Sequence, residues 1–199
     1  MRARRRPNGD ISVKGKSREE IFSDIHAGVG WPNEQPGALV AVGRRLDGRY
    51  HVLEEHRGAM FEIADAAVEL VGGLLIDTFF VDASDSVANG FFRHSLWAKL
   101  SHVPIKSQPV ISAIPDRGLR YFRSALEQAR GLILRELALI NERGCPTLMY
   151  ALRQDIDFAA ASPVVHAMVF GLIPLIRKGA SSPGSAISGK QWYGNLRRY

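Results

Sequence analysis

One cysteine, Cys145, stands among 199 residues. That scarcity excludes a disulfide framework within the chain and any cysteine-based zinc site, and it suits a reducing cytoplasm. No apolar run approaches the length needed to span a bilayer, and the N-terminus lacks the apolar core of a signal peptide. A cytoplasmic protein with no membrane role is therefore expected. The chain holds no GxxxxGK[ST] phosphate loop, so no ATPase of that kind is expected in it. His26, His51, His56, His94 and His102 are scattered at no metal-ligand spacing, and no internal repeat is visible.

What is present is ordinary for one globular domain: 46% hydrophobic and 23% charged residues, enough for a sizeable core. The net charge of +6 is unevenly spread. Arg2, Arg4, Arg5 and Arg6 of "MRARRR" and Lys14, Lys16 and Arg18 of "VKGKSR" supply much of the excess at one end. Arg177, Lys178, Arg197 and Arg198 add to it near the other. Such arms can neutralise phosphates, and equally well serve as solvated tails.

Residues 1–20 are polar, basic and aperiodic, and read as a flexible arm; 21–178 read as the folded domain; 179–199, Ser/Gly-rich, as a flexible tail. "GALVAVGRR" and "RYHVLEEHR" flank Leu46-Asp47-Gly48, a hairpin signal. "MFEIADAAVELV" carries apolar residues at helical spacing, with Gly72-Gly73 read as its end. A helix over Val87–Leu100 and a short strand in "VPIKSQ" follow. "RGLRYFRSALEQARGLILRELALINERG" reads as mostly helical, with an extended "LIL" after Gly131, and "TLMYALRQ" as a further helix. "SPVVHAMVFGLIPLIRKG" is the last, with Ser162 as N-cap, Pro163 at the first position and Lys178-Gly179 as its close.

Between these elements, Ile76–Val81 is β-branched and aromatic, as expected of a strand covered on both faces, and it ends on a carboxylate, Asp82. In open α/β sheets, sites form where the carboxyl ends of strands meet loops. Asp82 is thus the first candidate for chemistry, its rival role being the N-cap of the following helix.

Strand, strand, strand, helix, strand ending in an acid is the order of an RNase H-like fold: a mixed sheet of three antiparallel strands, then parallel strands, flanked by helices. "AGVGWPNEQPGALVAVGRRLDGRYHVLEEHRG", "LIDTFFVDASDS" and "VVHAMVFGLIPLI" together resemble the nuclease domain of phage large terminase subunits. The similarity covers about residues 25–178 as a pattern of landmarks. It implies cleavage of double-stranded DNA in phage genome packaging, with Mg2+ or Mn2+ held by carboxylates. It also implies partners such as a separate packaging ATPase, a small terminase or a portal.

The departures fall on the acids. Gly30 stands where the family has its first catalytic Asp, Gln35 where an Asp precedes the second strand, and His166 where the last helix carries an acid. Only Asp82 matches. Two-metal hydrolysis needs clustered carboxylates, and histidine suits zinc, copper, iron or nickel better than magnesium. The substitutes on offer are Asp24, if the first strand is "IFSDIHA" rather than "HAGVGWP", Glu54 or Glu55 at the third strand's end, and Asp155 or Asp157 before the last helix. The candidate set is therefore Asp82, Asp24, Asp157 and His166 for catalysis, with Asp82, Asp24, Asp157 and Glu54 as metal ligands. A buried structural histidine competes for His166. A catalytically decayed module that binds DNA or a packaging partner is the rival function. A junction resolvase or transposase relative, with the acids differently placed, is the third.

Overall fold

The computed structural model describes residues 4–5, 11–12, 21–31, 36–82, 90–96, 103–108, 115–153 and 162–180. In chain order the elements are β1 (Arg4–Arg5), β2 (Ile11–Ser12), β3 (Phe22–Gly30), β4 (Gly37–Arg45), β5 (Tyr50–Gly58) and α1 (Met60–Leu74). There follow β6 (Thr78–Asp82), the helical residues 90–96 as α2, β7 (Ile105–Gln108), α3 (Pro115–Leu134), β8 (Ala138–Ile140), α4 (Pro146–Arg153) and α5 (Pro163–Ala180). β1 and β2 form a small antiparallel ladder of their own.

The main sheet runs β7-β6-β3-β4-β5-β8. β3, β4 and β5 are antiparallel neighbours, while β6, β7 and β8 join in parallel. This is the RNase H-like order, with β8 as an added strand beyond β5. Both faces of the sheet are covered, because the central strands are apolar at successive positions. In β4, Ala38, Val40 and Val42 pack toward Met168, Phe170 and Leu172 of α5, whereas Leu39 and Ala41 pack toward Ile63, Ala67 and Leu70 of α1. β6 divides likewise, with Phe80 on the first side and Phe79 and Val81 on the second. Each Val, Leu, Ile, Phe or Met side chain among these, taken fully from water, contributes about 1.5–3 kcal/mol, so the two-sided run fixes β3, β4 and β6 as the centre of the sheet.

The β4–β5 hairpin forms as its Asp-Gly pair requires. Gly48 sits at φ 85°, and the Asp47 carboxylate accepts the Arg49 N–H at 3.0 Å. β3 extends across both of the stretches weighed for the first strand. Asp77, just before β6, ties it to β3: its carboxylate accepts the Ile25 N–H at 2.6 Å, and its own N–H donates to the Ile25 carbonyl at 2.7 Å.

Four local expectations are corrected. Gly72-Gly73 does not end α1, which continues to Leu74 and closes on Leu75 in the left-handed region at φ 51°. The apolar stripe of Leu70, Val71 and Leu74 on the sheet outweighs the roughly 1 kcal/mol that each helical glycine costs. "LIL" after Gly131 is helical, as the last turn of α3. The chain then turns at Glu136, and Ala138–Ile140 pairs with β5 as a strand that helical periodicity had hidden. Finally, α5 passes Gly179 to end at Ala180. Among the described residues, no helix is long and apolar enough to cross a membrane.

Candidate functional site

The parallel pairing of β3 with β6 runs from His26–Thr78 to Val29–Val81. Gly30 and Asp82 are the next and last residues of these two strands, at the carboxyl edge of the sheet. Asp82 follows Phe80 by two residues, and Phe80 belongs to the core that α5 seals. Over this edge lies the first turn of α5, beginning at Pro163, with the Ser162 carbonyl accepting the N–H groups of Val165 and His166. A side-chain carbon placed on Gly30 would lie 3.0 Å from the His166 Cβ, 3.0 Å from the Pro163 carbonyl oxygen and 3.2 Å from the Ala167 nitrogen. Gly30, the Asp82 strand end and His166 therefore meet at one corner. His166 is half-buried, its ring edge-on to Phe170 with 6.3 Å between centroids.

The corner exists because helix and strand meet backbone to backbone. A Cβ on Gly28 would collide with the Ala167 carbonyl oxygen and stand 2.5 Å from the Gly171 nitrogen. The converse holds at Gly171, whose added Cβ would lie 3.0 Å from the Gly28 nitrogen. Alternating glycines in "AGVG" and the Ala167/Gly171 pair one helical turn apart carry this signal in the sequence, which reading for charged residues alone misses.

The other candidates go elsewhere. Asp24, 8% exposed, is in register with Arg44. It stands six residues before Gly30, about 20 Å down the strand at 3.3 Å per residue, and the fold does not bring it to the corner. Glu54 is opposite Ala41, on the face that α1 covers, so the sheet separates it from α5. It pairs with His56 at 3.3 Å. Glu55, on the other face, accepts the N–H groups of Thr147 at 2.7 Å and Leu148 at 2.8 Å, capping α4 from a distant strand. Beside that cap, burial and the two glutamates raise the Cys145 thiol to about 12. Gln35, Asp155 and Asp157 lie outside the described residues.

The Mg2+ or Mn2+ that the resemblance implies calls for clustered oxygen ligands. Among the described residues no group of three or more His, Cys, Asp or Glu is gathered that could hold an ion. The β3 side of the corner offers a glycine pressed against a helix, which does not fit a carboxylate ligand.

No protein-family model and no curated protein matches the sequence. Solved structures do. The yeast mitochondrial Holliday junction resolvase Ydc2 aligns with a TM-score of 0.44 at 10% identity, over 76% of this chain and 80% of that one. The large terminase of a thermophilic bacteriophage aligns with a TM-score of 0.48 at 10% identity, over 77% of this chain and 42% of that one. The fold is RNase H-like. This RNase H-like chain thus spans less than half of the terminase it matches.

Proposed function

We propose that this chain is a terminase-type RNase H-like domain that acts on double-stranded DNA in phage genome packaging, with a cleavage centre weakened on its β3 side. The observation that carries the reading is the corner where Gly30, the end of β6 at Asp82 and the first turn of α5 at His166 converge. A strand-end carboxylate at this edge stands where the terminase nuclease domains it resembles carry a catalytic acid, and the basic ends supply phosphate contacts. Asp157, on the approach to α5, is the acid that this reading enlists alongside Asp82. A packaging ATPase, a small terminase or a portal are its partners, and the host cytoplasm its place.

The crowding at Gly30 favours a second reading, a decayed module that binds DNA or a packaging partner without cutting. One experiment separates the two: plasmid nicking in Mg2+ and in Mn2+, beside duplex binding at several salt concentrations. Slow cleavage abolished by Asp82→Ala supports the weakened enzyme, and salt-sensitive binding without cleavage supports the module. Cleavage that survives Asp82→Ala refutes the site, and absence of salt-sensitive binding refutes DNA as the target.

A further inference from the structure

An ion at the carboxyl edge of a sheet draws ligands from strand ends and the elements beside them, and two ions some 3.5–4 Å apart need several carboxylates between them. Here the strands are β6, ending in Asp82, and β3, ending in Gly30. We infer that this domain does not assemble a two-ion centre, because α5 fills the space that a β3 ligand needs. The acid is missing from the sequence, and a Cβ in its place would stand 3.0–3.2 Å from α5, tighter than ordinary contact. The inference builds on the proposed function only in expecting a metal at this corner.

Three observations support it. Two of the three atoms that crowd a Cβ at position 30, the Pro163 oxygen and the Ala167 nitrogen, are helix backbone and cannot rotate away. The third, the His166 Cβ, is fixed by the same turn. Nor can that turn retreat alone. The next one is seated on Gly28 through Ala167 and Gly171, and Val164, Val165, Ala167, Met168 and Leu172 are all fully buried beneath and around it. Lifting α5 from β3 would therefore part the core along its length, where interiors are packed to crystal-like density. Lastly, the side chain that borders Gly30 is an imidazole, a donor poorly matched to magnesium or manganese.

The consequence is specific: adding the acid back does not restore the ion. Mn2+ binding to the full chain would be counted by calorimetric titration and by the electron-spin signal of free Mn2+, with melting temperature read on the same samples. Wild type is expected to bind fewer than two ions. Gly30→Asp is expected to gain none and to melt lower. Two Mn2+ per wild-type chain, or an ion gained by Gly30→Asp at unchanged melting temperature, overturns the inference. If Gly30→Asp does not fold, Gly30→Ala decides: a lowered melting temperature supports the closure and an unchanged one refutes it. Duplex binding is measured in parallel with chelator present. Its absence overturns the DNA reading, while the Mn2+ counts still decide the closure by themselves.

Discussion

Replacing Gly28 by alanine tests how α5 is seated. The added methyl group would meet the Ala167 carbonyl oxygen and the Gly171 nitrogen, both backbone atoms of a buried helix. Overpacking a core by one methyl-sized group costs about 1–3 kcal/mol, and immovable partners put this site near about 3. Against that, alanine in place of glycine narrows the unfolded ensemble and favours the strand by up to about 1 kcal/mol. The net loss is about 2–3 kcal/mol. At about 2–4 °C per kcal/mol for a domain of this size, the melting temperature should fall by about 4–12 °C. Scanning calorimetry with urea titration at 25 °C reads both numbers. Gly72→Ala is the internal control, because a Cβ there meets nothing within 4 Å on the exposed side of α1. It should raise stability by up to about 1 kcal/mol through helix propensity alone. If Gly28→Ala melts with wild type, or both variants move in the same direction, the backbone contact between β3 and α5 is wrong.

Glu55→Gln keeps the size of the side chain but removes the charge that accepts the Thr147 and Leu148 N–H groups. A loss of about 1–2 kcal/mol in urea unfolding is expected, with faster amide exchange at the start of α4. Asp77→Ala leaves the Ile25 N–H without its acceptor and should cost about 1–3 kcal/mol, again read by urea; no change would show that β6 is held to β3 by its ladder alone. Burial and Arg45 hold the His51 imidazole below its ordinary value of 6.5, so the unfolded chain binds a proton there more readily than the fold does. Stability should therefore fall as the pH drops through about 6.5, and His51→Gln should flatten that slope. On the alkaline side, Cys145 held near 12 and Tyr50 raised by burial stay neutral after their unfolded counterparts ionise, so stability should fall again above about pH 9. Replacing Arg2, Arg4, Arg5 and Arg6 by glutamine should lower the salt slope of duplex binding by up to about 0.9 per lost phosphate contact, and an unchanged slope would remove the N-terminal arm from the interface.

The antiparallel trio, α1, the strand ending in Asp82 and the N-terminal boundary of α5 were legible in the sequence because each rests on a local signal. Asp47-Gly48 fixes a turn by its backbone preference, a β-branched run fixes a two-sided strand, and Ser162-Pro163 fixes a helix start. Gly30 and His166, which the resemblance aligns with two of the family's acids, lie against each other in the fold. Other features were decided only by tertiary structure, for one physical reason: they depend on which surfaces face each other across the sheet. Ala138–Ile140 becomes a strand because β5 offers it an open edge, although its residues continue a helical pattern. Glu54 and Glu55 are adjacent in sequence, yet strand alternation sends one to the face of α1 and the other to the N-terminus of α4. Asp24 is in the first strand, but at the end remote from Asp82. The alternating glycines of β3 signal a close backbone approach in the sequence, but only the tertiary structure shows that α5 is the element lying against them.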